Sequence, residues 1–268
     1  MIPSASDIGE DLRRIRGDAP LVHNITNYVV MNVTANALLA VGASPVMAHA
    51  IEEVEEMTDL AAALVLNIGT LSAPWVAAMR KAAVRARTRG IPIVLDPVGA
   101  GATKYRTETA RRLMDDAPPA VLRGNASEIR ALIYHEKETK GVDSRHAAEA
   151  ALDAARILSW EVGCIVSVSG PVDLIVHKDS VVRVANGHPL MPRVTGMGCI
   201  ASALTGAFAA VDRDYPRAAA GAMAVMGIAG EMAAEHAQGP AGFQTQFLDA
   251  LFRIKERDIL DRLKIDVA

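Results

Sequence analysis

The stretch ALVLNIGTLSAPWVAAMRKAAVRARTRGIPIVLD, residues 63–96, decides the fold. It contains a short apolar run, Ala63–Asn67, then an Ala-rich helical pattern, Ala73–Arg89, and then a second apolar run, Ile91–Leu95. Two such runs separated by one helix-forming segment are typical of parallel strands joined by a crossover helix. Gly90 follows the helical pattern, where a glycine commonly caps the C-terminus. The stretch therefore predicts a β-α-β unit.

The same alternation continues on both sides of this unit. Further strands are predicted at Leu21–Ile25, Ala120–Leu122 and Cys164–Val168. Two more runs, Leu174–His177 and Val181–Ala185, flank a short polar turn and predict a hairpin that adds antiparallel strands late in the sheet. The fold class is therefore α/β with a mostly parallel sheet.

The helical segments show recognisable ends. Asn27 precedes an amphipathic run that stops at Gly42, which predicts a helix with a cap at each end. After Gly198 the chain is typical of several helices, with breaks at Pro216 and Gly239-Pro240. We find no internal repeat.

Composition and charge favour one soluble domain that acts on a small molecule. Of the 268 residues, 51% are hydrophobic and 22% are charged, which supplies enough apolar material for one large core. No linker-like segment divides the chain, so we expect a single domain over residues 1–268. The net charge of −3 gives no basic surface for nucleic acids or anionic membranes.

The cysteines and the N-terminus indicate a location in the cytoplasm. The spacing of Cys164 and Cys199 fits neither a disulfide framework nor a structural zinc site. The first residues lack the apolar core of a signal peptide, and no later apolar run reaches the ~18 residues that a membrane span needs. We therefore expect a protein of a reducing compartment.

The segment VTGMGC, Val194–Cys199, carries the first candidate site. Gly196 and Gly198 stand before a helix of small residues, so free backbone N–H groups and the positive end of the helix dipole would converge there. Such a point suits an anion, although two glycines can also form no more than a tight turn. Cys199 would lie at the helix N-terminus, where the pKa of a thiol can fall; for an isolated cysteine, a small buried residue is the more common case.

Polar residues at the ends of predicted strands supply further candidates. Arg123 and Ser169 each follow a strand, and Glu128 lies in the first turn of a helix. Asp96 ends the second strand of the β-α-β unit, where its carboxylate could reach Mg²⁺ directly or through water. Because ligands of open α/β sheets bind at the carboxyl ends of the strands, these side chains are expected to meet. For Arg123 or Glu128 alone, a surface charge or a helix-dipole partner is the more common case, and Asp96 alone is also compatible with a turn cap.

The segment His23–Ala50 is apolar apart from a set of small polar residues. That set comprises Asn24, Asn27, Asn32, Thr34 and Asn36. Since buried polar groups are hydrogen-bonded, some of these side chains must bond to the backbone or to a ligand. His23 by itself is more typical of a structural histidine than of a catalyst.

Together these segments resemble the hydroxyethylthiazole kinase family of the ribokinase-like superfamily. The resemblance runs from about Leu21 to Phe208 and rests on HNITNYV, ASPVMA, LVLNIGTL, DPVGAGATKYR, LRGNASEI and the glycine-cysteine segment. It implies a three-layer sandwich with helices on both faces of the sheet. It also implies Mg²⁺-dependent transfer of phosphate from ATP to the primary alcohol of 4-methyl-5-(2-hydroxyethyl)thiazole in thiamine biosynthesis or salvage. Finally, it implies a homotrimer with active sites between subunits.

The resemblance also implies roles for the residues nearest the substrate alcohol. Asn27 and Met47 match thiazole contacts, and Gly196 matches a position close to the hydroxyl group. Gly198 matches the anion hole, and Cys199 lies beside the attacking oxygen. Sugar kinases of similar fold usually carry Asp as a base at that position. Because phosphoryl transfer passes through a loose transition state, we expect Cys199 only to assist.

A second group of matched residues serves the nucleotide and the metal. Arg123 and Ser169 match ATP contacts, while Asp96 and Glu128 match an acidic pair that serves magnesium. Many relatives have Thr at the positions of Met197 and Ser169. The first difference leaves the backbone donors intact and the second keeps a hydroxyl group, so altered affinity is expected, with activity retained.

Three alternatives remain open from the sequence. The first is a related kinase that acts on a pyrimidine alcohol or a sugar, since fold does not fix substrate. The second is a non-catalytic nucleotide or thiazole sensor, which the acidic pair and the glycine turn oppose. The third is a redox protein that uses Cys199, which lacks a nearby resolving cysteine in the sequence.

Overall fold

The structure, a computed structural model, describes residues 2–134 and 144–267. The strands in these residues are β1 Leu21–Ile25, β2 Ser44–Val46, β3 Ala63–Asn67, β4 Ile93–Asp96, β5 Val121–Asn125, β6 Ile165–Ser169, β7 Asp173–His177, β8 Ser180–Val184 and β9 Ile265–Val267. They form one sheet in the order β2-β1-β3-β4-β5-β6-β7-β8-β9. The strands from β2 to β6 pair in parallel, and β7, β8 and β9 add in antiparallel fashion. The α/β class and the late antiparallel hairpin are confirmed.

Helices cover both faces of this sheet. They are α1 Ala5–Asp18, α2 Met31–Val41, α3 Val54–Leu60, α4 Ala73–Arg89, α5 Lys104–Asp116, α6 Ala126–Ile133, α7 Ser144–Val162, α8 Met197–Val211, α9 Tyr215–Ala234, α10 Pro240–Arg253 and α11 Glu256–Arg262. In the described part of the chain, none of these helices combines the length and apolar character of a membrane-spanning segment.

The alternation of side chains along the strands divides the core into two halves. On β3, Leu64 and Leu66 pack with the apolar faces of α3 to α7. Val65, between them, faces the other way and packs with α1, α2 and α8 to α11. Successive residues of a strand point to opposite faces, so a continuous apolar strand of this kind needs helices on both sides. The result is the expected three-layer sandwich.

Helix boundaries follow the sequence signals closely in some places and depart from them in one. Helix α4 has the predicted bounds, and its cap Gly90 has φ +68°, which glycine adopts at no steric cost. Pro216 and Pro240 stand in the first turns of α9 and α10, as their positions predicted. The prediction that Asn27 caps a helix is wrong. Helix α2 begins at Met31 after Val30, with no side-chain cap, because the Asn27 amide is bonded elsewhere.

The register of the central strands brings their polar ends to one edge. Asn67 at the end of β3 lies opposite Asp96 at the end of β4. Asn125 at the end of β5 lies opposite Ser169 at the end of β6. Helix α8 packs across β1, β3, β4 and β5. Its N-terminus therefore meets the same edge at which these side chains emerge.

Candidate active site

Two asparagines connect the ends of β1, β3 and β4. Asn67 donates from Nδ2 to Oδ2 of Asp96 at 2.7 Å, and its Oδ1 accepts from Nδ2 of Asn27 at 2.8 Å. All three side chains are buried. Asn27 and Asp96 were predicted from the sequence, whereas Asn67 was missed, because an asparagine at a strand end is typical of a turn. Its place beside Asp96 in the register was the signal that could have identified it.

Asp96 is buried, and its pKa lies well above the usual value of an aspartate. Burial raises its pKa to about 7, while the nearby Arg123 guanidinium and a hydrogen bond from Ser202 oppose the shift. The Ser202 hydroxyl donates to Oδ2 at 2.7 Å, the same oxygen that Asn67 reaches. A buried carboxylate with polar neighbours is a group that a bound cation would stabilise in its charged form.

Arg123 bridges the strand ends to the start of α8. Its Nη1 donates to the Gly198 carbonyl oxygen at 3.0 Å, and its Nη2 donates to the Ser169 hydroxyl at 2.8 Å. A Cβ atom on Gly198 would lie 2.9 Å from Nη1, so the close approach requires glycine. The predicted meeting of Arg123, Ser169 and the glycine segment is therefore present, and the buried guanidinium places positive charge at the helix N-terminus.

The turn before α8 has the geometry expected of an anion site. Gly196 precedes the helix with φ +90°, and a Cβ atom there would lie 3.0 Å from a methyl carbon of Val30. Helix α8 begins at Met197, so the N–H groups of its first turn are directed toward the strand ends. The helix dipole and the Arg123 charge thus act on the same space.

Cys199 lies in this first turn but is not an activated thiol. Burial, with a contribution from the Asp96 charge, raises the pKa of Cys199 to about 11, although hydrogen bonds from Asn67 and Asn27 oppose this. The Asn27 amide donates to Sγ at 3.4 Å. Of the two interpretations of Cys199, the small buried residue agrees with the structure and the lowered pKa does not, because desolvation outweighs the helix dipole. The thiol is protonated at neutral pH, which also weakens the redox alternative.

Glu128 accepts hydrogen bonds from backbone N–H groups near the ends of β4 and β5. Its Oε2 accepts from the Asn125 N–H at 2.8 Å, and its Oε1 accepts from the Gly99 N–H at 2.9 Å. The first bond completes a capping box at the start of α6. The Glu128 charge nevertheless raises the pKa of Asp96, so the two carboxylates are electrostatically coupled. Glu128 also lines a groove of about 980 Å³ with Gly99 and Arg130.

Met47 follows β2 at the same edge of the sheet and is half-buried. Strand β2 was not predicted, because it has three residues and contains Pro45. Strand β2 pairs with β1. Met47 follows β2 and Asn27 follows β1, so the two residues matched to thiazole contacts follow neighbouring strands of the sheet. Their role in substrate binding stays a prediction.

Four other polar residues of the His23–Ala50 segment bond within the protein, namely His23, Asn24, Asn32 and Asn36. His23 is fully buried, with Nε2 2.7 Å from the Ala48 carbonyl oxygen and Nδ1 3.1 Å from the Thr58 hydroxyl. Burial lowers its pKa, as expected of a neutral structural histidine. Asn24 bonds to a carbonyl oxygen of its own strand, and Asn36 bonds to Asn32 on the surface of α2.

Comparison with known proteins places these features in a family. The model of the hydroxyethylthiazole kinase family matches residues 12–257. The chain belongs to the hydroxyethylthiazole kinase family. A family relative from Syntrophus aciditrophicus, a hydroxyethylthiazole kinase, is 60% identical over 255 residues, which cover 95% of this chain and 94% of the relative. Membership of this kinase family implies ATP as the co-substrate.

Solved structures agree with the family assignment and with the fold. The hydroxyethylthiazole kinase from Pyrococcus horikoshii OT3 superposes with a TM-score of 0.90 at 46% identity, covering 98% of this chain and 99% of the other. A ribokinase-like superfamily protein from Enterococcus faecalis has a TM-score of 0.61 at 12% identity, covering 88% of this chain and 87% of its own. The second similarity concerns the fold alone, and it confirms the ribokinase-like architecture.

Proposed function

We propose that this chain transfers the γ-phosphate of ATP to the primary alcohol of 4-methyl-5-(2-hydroxyethyl)thiazole, a step of thiamine biosynthesis or salvage. One structural observation carries the proposal beyond the family name. Hydrogen bonds run from Asn27 through Asn67 to Asp96, which also accepts from the Ser202 hydroxyl. The same Ser202 oxygen lies 3.3 Å from the Gly198 carbonyl oxygen that Arg123 contacts. These contacts join the proposed thiazole contact to the proposed phosphate site, as transfer between two bound substrates requires.

The phosphate end of the site consists of positive charge and backbone donors. In the proposal, Arg123 and Ser169 contact ATP, and the N–H groups near Gly198 form the anion hole. Arg123 is held on both sides by the bonds to Gly198 and Ser169, so its charge is fixed before the nucleotide arrives. Pre-oriented positive charge favours the transition state of phosphoryl transfer, where negative charge spreads over the transferred oxygens.

Asp96 and Glu128 are proposed to serve Mg²⁺. The described residues contain no cluster of three or more His, Cys, Asp or Glu side chains that could hold a metal. Two carboxylates fit magnesium well, since this ion commonly takes one or two protein carboxylates and completes its shell with water and phosphate oxygens. The bonds from Asn67 and Ser202 both reach Oδ2 of Asp96 and neither uses Oδ1. When bound, magnesium would neutralise charge on the phosphates.

The alcohol end is proposed to be formed by Asn27, Met47 and Gly196, with Cys199 beside the attacking oxygen. Since the thiol of Cys199 keeps its proton at neutral pH, it does not act as a strong base. It contributes by contact and by a weak hydrogen bond, and the alcohol proton leaves late in a loose transition state, passing to an oxygen of the transferred phosphoryl group as the new P–O bond forms and the bond to ADP breaks. This supports the assisting role expected for Cys199.

The assembly and location of the protein are also proposed. The chain forms a single domain, works in the cytoplasm and assembles as a homotrimer with active sites between subunits. Next to Asn27, Tyr28 and Val29 expose 64% and 65% of their surface. Large exposed apolar side chains beside a polar site support a partner surface there. Sedimentation equilibrium of the purified protein tests the assembly, and a mass of a single chain would contradict it.

The reaction is tested by incubating the purified protein with Mg-ATP and a panel of alcohols. The panel contains hydroxyethylthiazole, hydroxymethylpyrimidine and simple sugars, and mass spectrometry detects the phosphorylated products. The proposal predicts thiazole phosphate in preference to the other esters. A preparation that phosphorylates a different panel member and leaves the thiazole unchanged would overturn the assignment. Asp96→Asn serves as the inactive control for contaminating kinases.

A further inference from the structure

Asn67 has no assigned role so far, yet its side chain bonds to residues at both proposed substrate ends. Its Oδ1 accepts from the Asn27 amide at 2.8 Å and from the Gly69 backbone N–H at 3.0 Å. Its Nδ2 donates to Asp96 at 2.7 Å, and the same amide lowers the pKa of Cys199 by a hydrogen bond. One buried side chain thus contacts both proposed substrate ends.

The orientation of this amide is determined by the backbone. A peptide N–H can only donate, so the Gly69 N–H requires an oxygen, and Oδ1 of Asn67 must face it. The Nδ2 group is then directed to the Asp96 carboxylate, and Asn27 must present its own Nδ2 to the shared oxygen. A rotated Asn67 would place N–H against N–H and oxygen against carboxylate. The three side chains therefore adopt one arrangement.

Gly69 also restrains Asn27 by contact. A Cβ atom at position 69 would lie 2.6 Å from Nδ2 of Asn27 and 2.8 Å from its Cγ. These distances are shorter than ordinary contacts, so the backbone at Gly69 packs directly against the amide. This packing is independent of the hydrogen bonds and acts on the same side chain.

We propose that Asn67 is a positioning residue that holds the Asn27 amide and the Asp96 carboxylate as one unit, and that Gly69 fixes the orientation of this unit. The inference rests on the proposed function, since it assigns Asn27 to the thiazole and Asp96 to the metal-bound phosphate. In this arrangement, the thiazole contact and the carboxylate keep a constant separation. Small errors in such a separation cost rate steeply.

Ser202 allows the two ends of the unit to be separated by experiment. Its one hydroxyl proton is donated to Asp96 at 2.7 Å, the Gly198 carbonyl oxygen lies 3.3 Å from the same Oγ, and neither contact reaches Asn27. Ser202→Ala therefore disturbs the carboxylate end alone, whereas Asn67→Ala disturbs both ends. Asn24→Ala is the matched control, because Asn24 is an equally buried asparagine on the adjacent strand β1, and its side-chain bond within the described residues goes to a carbonyl of its own strand.

The test measures two quantities for each variant: the Kd for the thiazole alcohol by calorimetry without nucleotide, and kcat with Mg-ATP. Asn67→Ala is expected to raise Kd about fivefold and to lower kcat at least about tenfold. Ser202→Ala is expected to lower kcat about tenfold with Kd within about twofold of the parent. Asn24→Ala should leave both quantities within about twofold of the parent. If Asn67→Ala changed only one quantity, or neither, the proposed unit would be wrong.

Two further measurements keep the outcome decisive. Gly69→Ala removes no polar group, and it should raise Kd at least about fivefold because the added methyl group displaces Asn27. This variant tests whether its neighbours hold the Asn27 amide in place, even if Asn67→Ala does not fold. A crystal structure of either variant should show a rotated Asn27 amide; an unmoved amide in both would contradict the inference. Failure of the proposed function is recognised separately, because the parent protein would then neither bind nor phosphorylate the thiazole alcohol.

Discussion

Gly198 offers a sharp test of the phosphate end of the site. In Gly198→Ala, the new Cβ atom would lie 2.9 Å from Nη1 of Arg123, whereas ordinary contacts lie at 3.4–4 Å. The guanidinium must therefore retreat by about 0.5 Å or more. Its bond to the Gly198 oxygen is 3.0 Å long and would pass beyond the usual limit of about 3.2 Å.

The expected loss of kcat/KM for ATP follows from the free energy of a hydrogen bond made by a charged group. Such a bond contributes about 1.5–3 kcal/mol, which corresponds to about a 10- to 150-fold change in kcat/KM for ATP. Alanine favours a helix over glycine by about 1 kcal/mol, which offsets part of the lost bond and leaves a destabilisation of about 0.5–2 kcal/mol. The melting temperature should therefore fall by about 1–8 °C, and the protein that remains folded should lose nucleotide turnover.

Steady-state kinetics at varied ATP concentration and thermal unfolding check this prediction together. Gly242→Ala is the matched control, since Gly242 lies near the start of α10, where an added Cβ atom would have no neighbouring side chain or backbone within 4 Å. It should show the gain in helix stability and no change in kinetics. If Gly198→Ala retained kcat/KM for ATP within about twofold of the parent, Arg123 would not be the group that positions the nucleotide.

Three further predictions concern the thiol, the metal and a carboxylate away from the site. Cys199→Ala should lower kcat less than Glu128→Gln does in the same assay, because the thiol is protonated at neutral pH; the reverse order would show that Cys199 is the essential group. Chelation of Mg²⁺ should abolish phosphorylation, and added Mg²⁺ should restore it, with an unchanged melting temperature, since carboxylates and ATP hold the ion without supporting the fold. Burial and the Asp212 charge raise the pKa of Asp11 to about 6, so the stability contributed by protonated Asp11 is full below about pH 4 and is lost as pH rises through about 6. Asp11→Asn should therefore raise the melting temperature by about 2–4 °C near pH 8 and leave it unchanged near pH 4 in thermal unfolding; equal shifts at both pH values would refute the linkage.

The fold was largely predictable because its signals are local. Helix α4 is bounded by Pro74 and Gly90, which act within one turn, and the neighbouring apolar runs are long enough to be recognised. Strands β2 and β9 were not predicted, since each has three residues and is held by its neighbour in the sheet. Such short edge strands depend on tertiary pairing that a sequence pattern does not contain.

The sequence indicated the charged residues at this edge and several neutral ones, such as Asn27 and Ser169, but it missed Asn67 and Ser202. Asp96 and Arg123 stand out at strand ends, and the register brings them to the predicted edge. Asn67 and Ser202 were missed because an amide after a strand and a serine in a helix of small residues are common without function. The sequence left the pKa of Cys199 open between a lowered value and that of a small buried residue, because burial depends on packing that only the structure shows.

The central claim is that a γ-phosphate passes to the thiazole alcohol at the strand ends beside α8. Proton-coupled ³¹P NMR of the protein with Mg-ATP and hydroxyethylthiazole measures this most directly. We expect ADP and an equal amount of a phosphate monoester whose signal is split by the adjacent CH₂ group, with no ester formed by Asp96→Asn. Free phosphate in place of the ester, or AMP in place of ADP, would contradict the claim.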